Sequence, residues 1–345
     1  MSVEELTEEK ESSGLRVSIL GIGGAGNNLL SHAISGGVSP RQCIAVNTDR
    51  NQLSASHAKN KVLLTETRDL AIGNARNDLA NVRMLANRVS PFTQESDFTI
   101  LLTGLGGVTG TMAGPAIAQL NRGQARPVIS IVALPFIHER DRRFLALRGL
   151  KRMVASSDCT VVIDNAAELK QTSSSGRGAD EIASLAVRSL SEVVAMGSSA
   201  VSQRILSVMR LGQVATVCVA PVSSSERTQP AIIDALQTPS ARLPLSKAKG
   251  AVLLYHGRES LSGGQALHAY EAVSSLVGHD VEFVQLSTRS ATVPGVSVFL
   301  TGYSYSMAIR TFVDLIEDLY DMEYGEGSEA GEIGLPVRLY QMEGQ

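Results

Sequence analysis

Tryptophan is absent from the chain, and only three of its 345 residues are cysteine. Cys43, Cys159 and Cys218 lie far apart, each in an apolar run of strand character. That excludes a disulfide framework and a cysteine-metal motif, and it leaves buried thiols in a reducing compartment as the expectation. No apolar run is long enough to cross a bilayer, so direct membrane insertion is excluded. The charged stretch Met1 to Ser13 has no apolar segment, so no signal peptide is expected and the localisation is cytoplasmic. A surplus of positive charge is also missing. The net charge is −3, which gives nucleic acid or an anionic membrane nothing to hold. No Ser-His-Asp constellation and no H-E-x-x-H motif occurs. The six histidines, His32 and His138 among them, are scattered, and His138 is expected at the surface.

What is present describes a globular protein: 43% hydrophobic and 19% charged residues. The length exceeds one ordinary core, so two domains are expected. The chain is organised around Thr103-Gly104-Leu105-Gly106-Gly107-Val108-Thr109-Gly110-Thr111. An apolar strand, Phe98–Leu102, feeds it, and a helix follows from Met112. Glycines let the backbone approach an anion and aim N–H groups at it, and the helix start adds a partial positive charge. Four glycines in seven residues, with Thr109 and Thr111 beside them, point to a phosphate cradle rather than a plain turn.

A second glycine-rich turn lies upstream. Gly21-Ile22-Gly23-Gly24-Ala25-Gly26-Asn27-Asn28 follows the strand Leu15–Leu20 and precedes a helix over Leu29–Ile34. It is a complete G-x-G-x-x-G. Asp49, after the strand Gln42–Val46 and Asn47, stands where a dinucleotide-binding protein has its ribose acid. Taken alone this indicates a nicotinamide-dependent oxidoreductase. Such an enzyme needs one pyrophosphate cradle, however, and this chain has two; a nucleoside triphosphate accounts for both.

Strands at Lys61–Leu64, Pro127–Ala133 and Thr160–Ile163 continue the alternation with helices, which means a parallel sheet with ligands beyond its carboxyl edge. Helical spacing over Asp180–Met196 predicts a long connecting helix. Strands at Val214–Ala220, Gly250–Tyr255, Val281–Leu286 and Val296–Thr301, with helices at Ala231–Leu236 and Gly264–Leu276, predict a second, four-stranded unit. The expected boundaries are a flexible arm over 1–14, a nucleotide domain over 15–178, a central helix over 179–197, a C-terminal domain over 198–303, an extra helix over 304–322 and a disordered tail over 323–345. Pro336–Tyr340 is an apolar island in that tail, a candidate docking peptide for a partner.

These segments, taken in order, resemble the tubulin/FtsZ superfamily. Gly106–Met112 resembles its G-G-G-T-G-T-G loop, with Val108 and Met112 replacing two glycines. Gly21–Asn28 and Ala45-Val46-Asn47-Thr48-Asp49 match closely. Leu134–Arg143 resembles a P-F-x-x-E-x-x-x-R segment, Ile163-Asp164-Asn165 an I-P-N segment, and Ala179-Asp180-Glu181 the start of a core helix. Leu245–Gly250 continues the likeness more weakly. The resemblance implies an α/β fold: a Rossmann-like GTPase domain with a parallel sheet, a long central helix and a C-terminal α/β domain. It implies that GTP or GDP, with room for Mg2+, is held by Gly21, Gly23, Gly24, Ala25, Asn27, Asn28, Asn47, Asp49, Gly104, Gly106, Gly107, Val108, Thr109, Gly110 and Thr111. Pro135, Glu139 and Arg143 are expected at the ribose and phosphates, and Asn165 and Asp180 at the guanine. It also implies head-to-tail self-association, or co-assembly with a homologue.

Two departures bear on activity. The family's G-A-G segment becomes Gly73-Asn74-Ala75-Arg76. In the loop N-x-D-x-x-D, which one subunit gives to the next to polarise water, Val201 and Arg204 replace both aspartates, with the register fixed by Ser207-Val208-Met209. No Asp or Glu occurs between Val193 and Ser225, and water activation needs a group that accepts a proton or orients the nucleophile. The expectation is therefore a GTP-binding cytoskeletal protein of cell division or shape, acting as regulator or scaffold, with weak or absent GTPase and no catalytic residue of its own. A conventional GTPase with an unusual loop, and an NAD-dependent oxidoreductase using Gly21–Gly26, are the alternatives. Arg204 either reaches a neighbour's γ-phosphate or is solvated or salt-bridged.

Overall fold

A computed structural model of the protein describes residues 3–5, 15–64, 88–165, 178–196, 199–222, 228–257, 259–289 and 294–313. Gly73–Arg76, most of the N-terminal arm, the tail with Pro336–Tyr340, and the extra helix beyond residue 313 lie outside the described residues. Residues 305–313 are helical.

The apolar runs form strands β2 (Val17–Ile22), β3 (Cys43–Asn47), β4 (Asn60–Leu63), β5 (Phe98–Gly104), β6 (Val128–Leu134) and β7 (Cys159–Asp164). They pair in parallel in the order β4-β3-β2-β5-β6-β7. Every residue of β2, β3, β6 and β7 is buried, as expected of a parallel sheet covered on both faces. The strand order reverses between β2 and β5, and a crevice opens at such a switch point.

Beyond β7 the sheet continues. β8 (Val214–Pro221) pairs with β7 in parallel through Thr160↔Val214 and Val161↔Ala215. β11 (Gly295–Tyr303) runs antiparallel between β8 and β9 (Gly250–Gly257), and β10 (Glu282–Arg289) flanks β9 in parallel. The second unit's four strands are thus not a separate sheet but part of one eleven-stranded sheet. The arm, expected to be unstructured, contributes an edge strand: β1 (Val3–Glu5) pairs in parallel with β10. That edge leaves N–H and C=O groups unanswered, and three residues of extended chain suffice to satisfy part of it.

Helices cover both faces. α1 (Gly23–Ser35), α5 (Ala179–Met196) and α6 (Ser199–Met209) pack on the face that holds Ile19, Ile100 and Val217. α3 (Val108–Gly123), α4 (Arg140–Ser156), α7 (Thr228–Gln237) and α8 (Gly263–Val277) cover the face that holds Leu20, Leu101 and Cys218. A short α2 (Arg50–Ala55) follows β3. Both glycine-rich turns are shorter than the sequence suggests, because α1 begins at Gly23 and α3 at Val108. The segment from Ser199, expected as a loop, is the first turn of α6. The three cysteines lie in strands, where burial pushes each thiol up to about 12.

α5 is joined to the C-terminal strands by a buried polar network. An Arg188 guanidinium nitrogen donates to His256 Nε2. Because arginine only donates, Nε2 accepts and the ring proton sits on Nδ1, which donates to Ser189 Oγ at 3.1 Å. Ser189 Oγ donates to Leu185 O at 2.9 Å, so Ser297 Oγ donates to it, also at 2.9 Å. Arg188 Nη1 donates to Gly36 O, which ties the network back to the end of α1.

Burial, with the Arg188 guanidinium beside it, pushes His256 down from the ordinary imidazole value of 6.5 to about 3. Below pH 6.5 the unfolded chain takes up a proton that the folded chain refuses. Stability from this site is complete above 6.5 and falls until about pH 3, by about 2 kcal/mol at pH 5. Urea unfolding of wild type and His256→Gln at pH 7 and pH 5 checks this: the acid-induced loss should be smaller in the variant.

Candidate functional site

α1 and α3 begin at the carboxyl edge of neighbouring strands, on either side of the switch point. Neither has a side-chain cap or an acidic residue in its first turn. Their first N–H groups therefore have no intrahelical partner, and the positive ends of two helix dipoles converge. Gly23, Gly24, Ala25, Gly107, Val108, Thr109 and Gly110 line the resulting cleft of about 620 Å³.

Two glycines make the loops possible. A Cβ on Gly110 would lie 2.2 Å from Gly104 O, so α3 can start this close to β5 only without a side chain. Gly106 has φ +99°, and a Cβ there would meet Arg142 O at 2.7 Å. The second loop is braced on the turn after β3 through Thr48 Oγ1 and Thr109 Oγ1, 2.9 Å apart.

Of the expected residues, Gly23, Gly24, Ala25, Asn47, Asp49, Gly104, Gly107, Val108, Thr109, Gly110, Pro135, Glu139 and Asn165 line one cleft. Val108 is half exposed at the mouth, where its side chain narrows the approach but leaves its N–H in the helix start. Asp49 has a second duty: its Oδ1 caps α2 by accepting from Asn51 N at 2.8 Å and Gln52 N at 3.2 Å. Asn47 braces the same turn, accepting from Thr48 N and donating to Gln52 Oε1.

Seven expected residues do not line it, and each has a physical reason. Gly21 lies inside β2 under Leu30. Asn27 is buried beneath α1, and Asn28 faces solvent on that helix. Gly106 N donates inward to Thr111 Oγ1 at 2.9 Å, which holds the loop's shape. Asp180 pairs with His32 at 3.4 Å on the exposed seam between α1 and α5.

Arg143 is the largest correction. Its side chain is 1% exposed, and both terminal nitrogens donate to the Asp164 carboxylate, at 2.8 and 2.9 Å. Nη1 also donates to Pro135 O at 2.8 Å. The expected phosphate ligand is thus a buried clamp tying the loop after β6 to the end of β7. Asp164, where the resemblance expects proline, is its partner.

Sequence reasoning missed Thr48, Gln52, Phe136, His138 and Arg142, which also line the cleft. All lie inside or within three residues of segments singled out above. His138 is at the surface as expected, but it also stacks on Phe136 at the cleft wall. For Arg142 the signal was its i, i+3 spacing from Glu139, which brings the side chain before α4 and one in its first turn together.

Breaking a buried ion pair strands a charge and costs about 3–5 kcal/mol, whereas replacing both partners with apolar groups costs much less. Arg143→Ala and Asp164→Asn should each lower the unfolding midpoint strongly. The double variant Arg143→Met with Asp164→Leu should recover most of that loss. Chemical denaturation of the three proteins is the check.

Residues 16–173 match the Tubulin/FtsZ family, GTPase domain. Cell division protein FtsZ 1 of Pyrococcus horikoshii is 32% identical over 267 residues, 74% of this chain and 72% of that protein. A tryptophan-to-tyrosine mutant of FtsZ from Methanocaldococcus jannaschii superposes with a TM-score of 0.71 and 26% identity, over 84% of this chain and 91% of that one. An empty FtsZ dimer of the same organism gives 0.70 and 26%, over 84% and 88%. Two uncapped helix starts at a switch point, the eleven-stranded sheet and these matches agree: the chain belongs to the tubulin/FtsZ family.

Proposed function

We propose that the cleft binds GTP or GDP, that the protein assembles head to tail with itself or a homologue, and that it hydrolyses GTP weakly or not at all. The observation that carries the reading is the convergence of two helix starts, both without cap or acid, on one cleft. One such start suits one phosphate group; two suit a chain of phosphates. The amides of Gly23–Ala25 and Gly107–Gly110 would hold that chain, and Glu139 would accept from the ribose hydroxyls. Asn165, whose Oδ1 has no hydrogen-bond partner among the described residues, would meet the base. A magnesium ion would neutralise phosphate charge with few protein ligands, Asp49 and the hydroxyls of Thr48 and Thr109 being the donors at hand. Assembly is supported by the solved dimer of a relative; a head-to-tail contact is heterologous and propagates as a filament. A role in division or cell shape is supported by the relatives' names alone.

Weak hydrolysis is supported by α6. Its first turn carries Val201 and Ser202, 5% and 3% exposed, and its second carries Arg204, so no carboxylate would be offered to a neighbour's nucleotide. Competition of a fluorescent guanine nucleotide by GTP, ATP and NAD tests the site. Displacement by GTP alone is expected; displacement by NAD would establish the oxidoreductase reading instead. Sedimentation with phosphate release tests the rest. Pelleting with GTP at negligible turnover is expected, and steady release by the wild type would show that α6 supports hydrolysis by other means. Arg204→Asp should raise turnover in the pelleted fraction. Val201→Asp should instead lower stability, because it buries a charge.

A further inference from the structure

We infer that Arg142 is the side chain that meets the phosphate chain, and that Glu139 holds it aside until a phosphate displaces the carboxylate. This rests on the nucleotide reading above. Arg143 cannot serve, since its fork is closed on Asp164 beneath the surface. Its neighbour in sequence turns about 100° around α4, out of the core and into the cleft, with its side chain 65% exposed. The root of Arg142 lies against the second glycine loop: a Cβ on Gly106 would sit 3.1 Å from Arg142 Cβ. The side chain therefore starts beside that loop and shares the cleft wall with Gly107 and Val108.

Charge makes the assignment sharper. Among the described residues lining the cleft, Arg142 is the one arginine or lysine, while Asp49 and Glu139 bring two carboxylates. A phosphate chain entering this cleft meets helix dipoles and one mobile cation. That cation is engaged: Arg142 Nη1 lies 2.6 Å from Glu139 Oε1. Glu139 is the fixed partner, because its Oε2 accepts from Phe136 N at 3.1 Å. An ion pair so exposed is weak, and a phosphate offers the guanidinium a stronger, two-pronged acceptor. The arginine swings; the glutamate stays at the cleft wall.

The test is competition of a fluorescent guanine nucleotide by GTP, GDP and guanosine, on the full chain, for wild type, Arg142→Ala and Arg142→Lys. Arg142→Ala should weaken GTP about tenfold or more, leave guanosine unchanged and flatten the salt dependence of GTP binding. Arg142→Lys should fall between the two, keeping the charge but not the fork. The unfolding midpoint of Arg142→Ala should match wild type, unlike that of Arg143→Ala. Unchanged GTP affinity in Arg142→Ala overturns the inference. So does an equal loss for guanosine, which would mean a merely structural role. A wild type that binds neither GTP nor guanosine overturns the nucleotide reading itself and is distinguishable from both.

Discussion

Two helix starts with unanswered amides impose a constraint that the rest of the nucleotide half obeys. α1 and α3 leave strands adjacent in the sheet but cross to opposite faces, so their first turns can face each other only at the switch point between β2 and β5. Everything near that point is small or braced. Gly110 gives α3 its closeness to β5, and Thr111 answers the Gly106 amide from inside. Thr48 ties the turn after β3 to the second loop. An acidic residue or a serine cap at either start would satisfy the helix and close the site; the sequence has neither.

The Arg143–Asp164 clamp joins the loop after β6 to the end of β7 through one buried side chain. An aspartate at the end of β7, where a proline is expected, would be a buried charge with no partner. The arginine one helical turn beyond Glu139 is within reach and becomes that partner. With Arg143 turned inward, Arg142, the residue before it on α4, is the one arginine or lysine among the described residues lining the cleft.

Strand positions were legible to within a few residues, because burial on both faces makes β2, β3, β6 and β7 unbroken apolar runs. The cradle was legible too, since close backbone approach demands glycine at particular spacings. Three things were not. The starts of α1 and α3 were placed too late, because glycine has poor helix propensity, and Gly23 at φ +73° and Gly110 against β5 hold their places by tertiary fit. The direction of Arg143 depends on a partner 21 residues away across two strands, which a local motif does not specify. The junction of β7 with β8 rests on two residue pairs between elements some 50 residues apart, and nothing in either strand's pattern marks it.

The continuous sheet and the Arg188–His256 network bear on how the two halves communicate. α5 touches α1 at one end of its length and the C-terminal strands along another, and Arg188 donates both to Gly36 at the end of α1 and to His256 on β9. A charge-bearing side chain buried between two such partners favours one arrangement of the helix over its alternatives, because sliding α5 by even one residue would leave the guanidinium without its acceptors. α6 follows α5 after two residues, so the segment that a neighbouring subunit would meet is positioned by the same network. In this chain that segment holds Val201 and Ser202 inward and offers no acid. The fold thus connects the end of α1, whose start opens the cleft, through α5 to the start of α6, in a stretch from Val193 to Ser225 that holds no Asp or Glu.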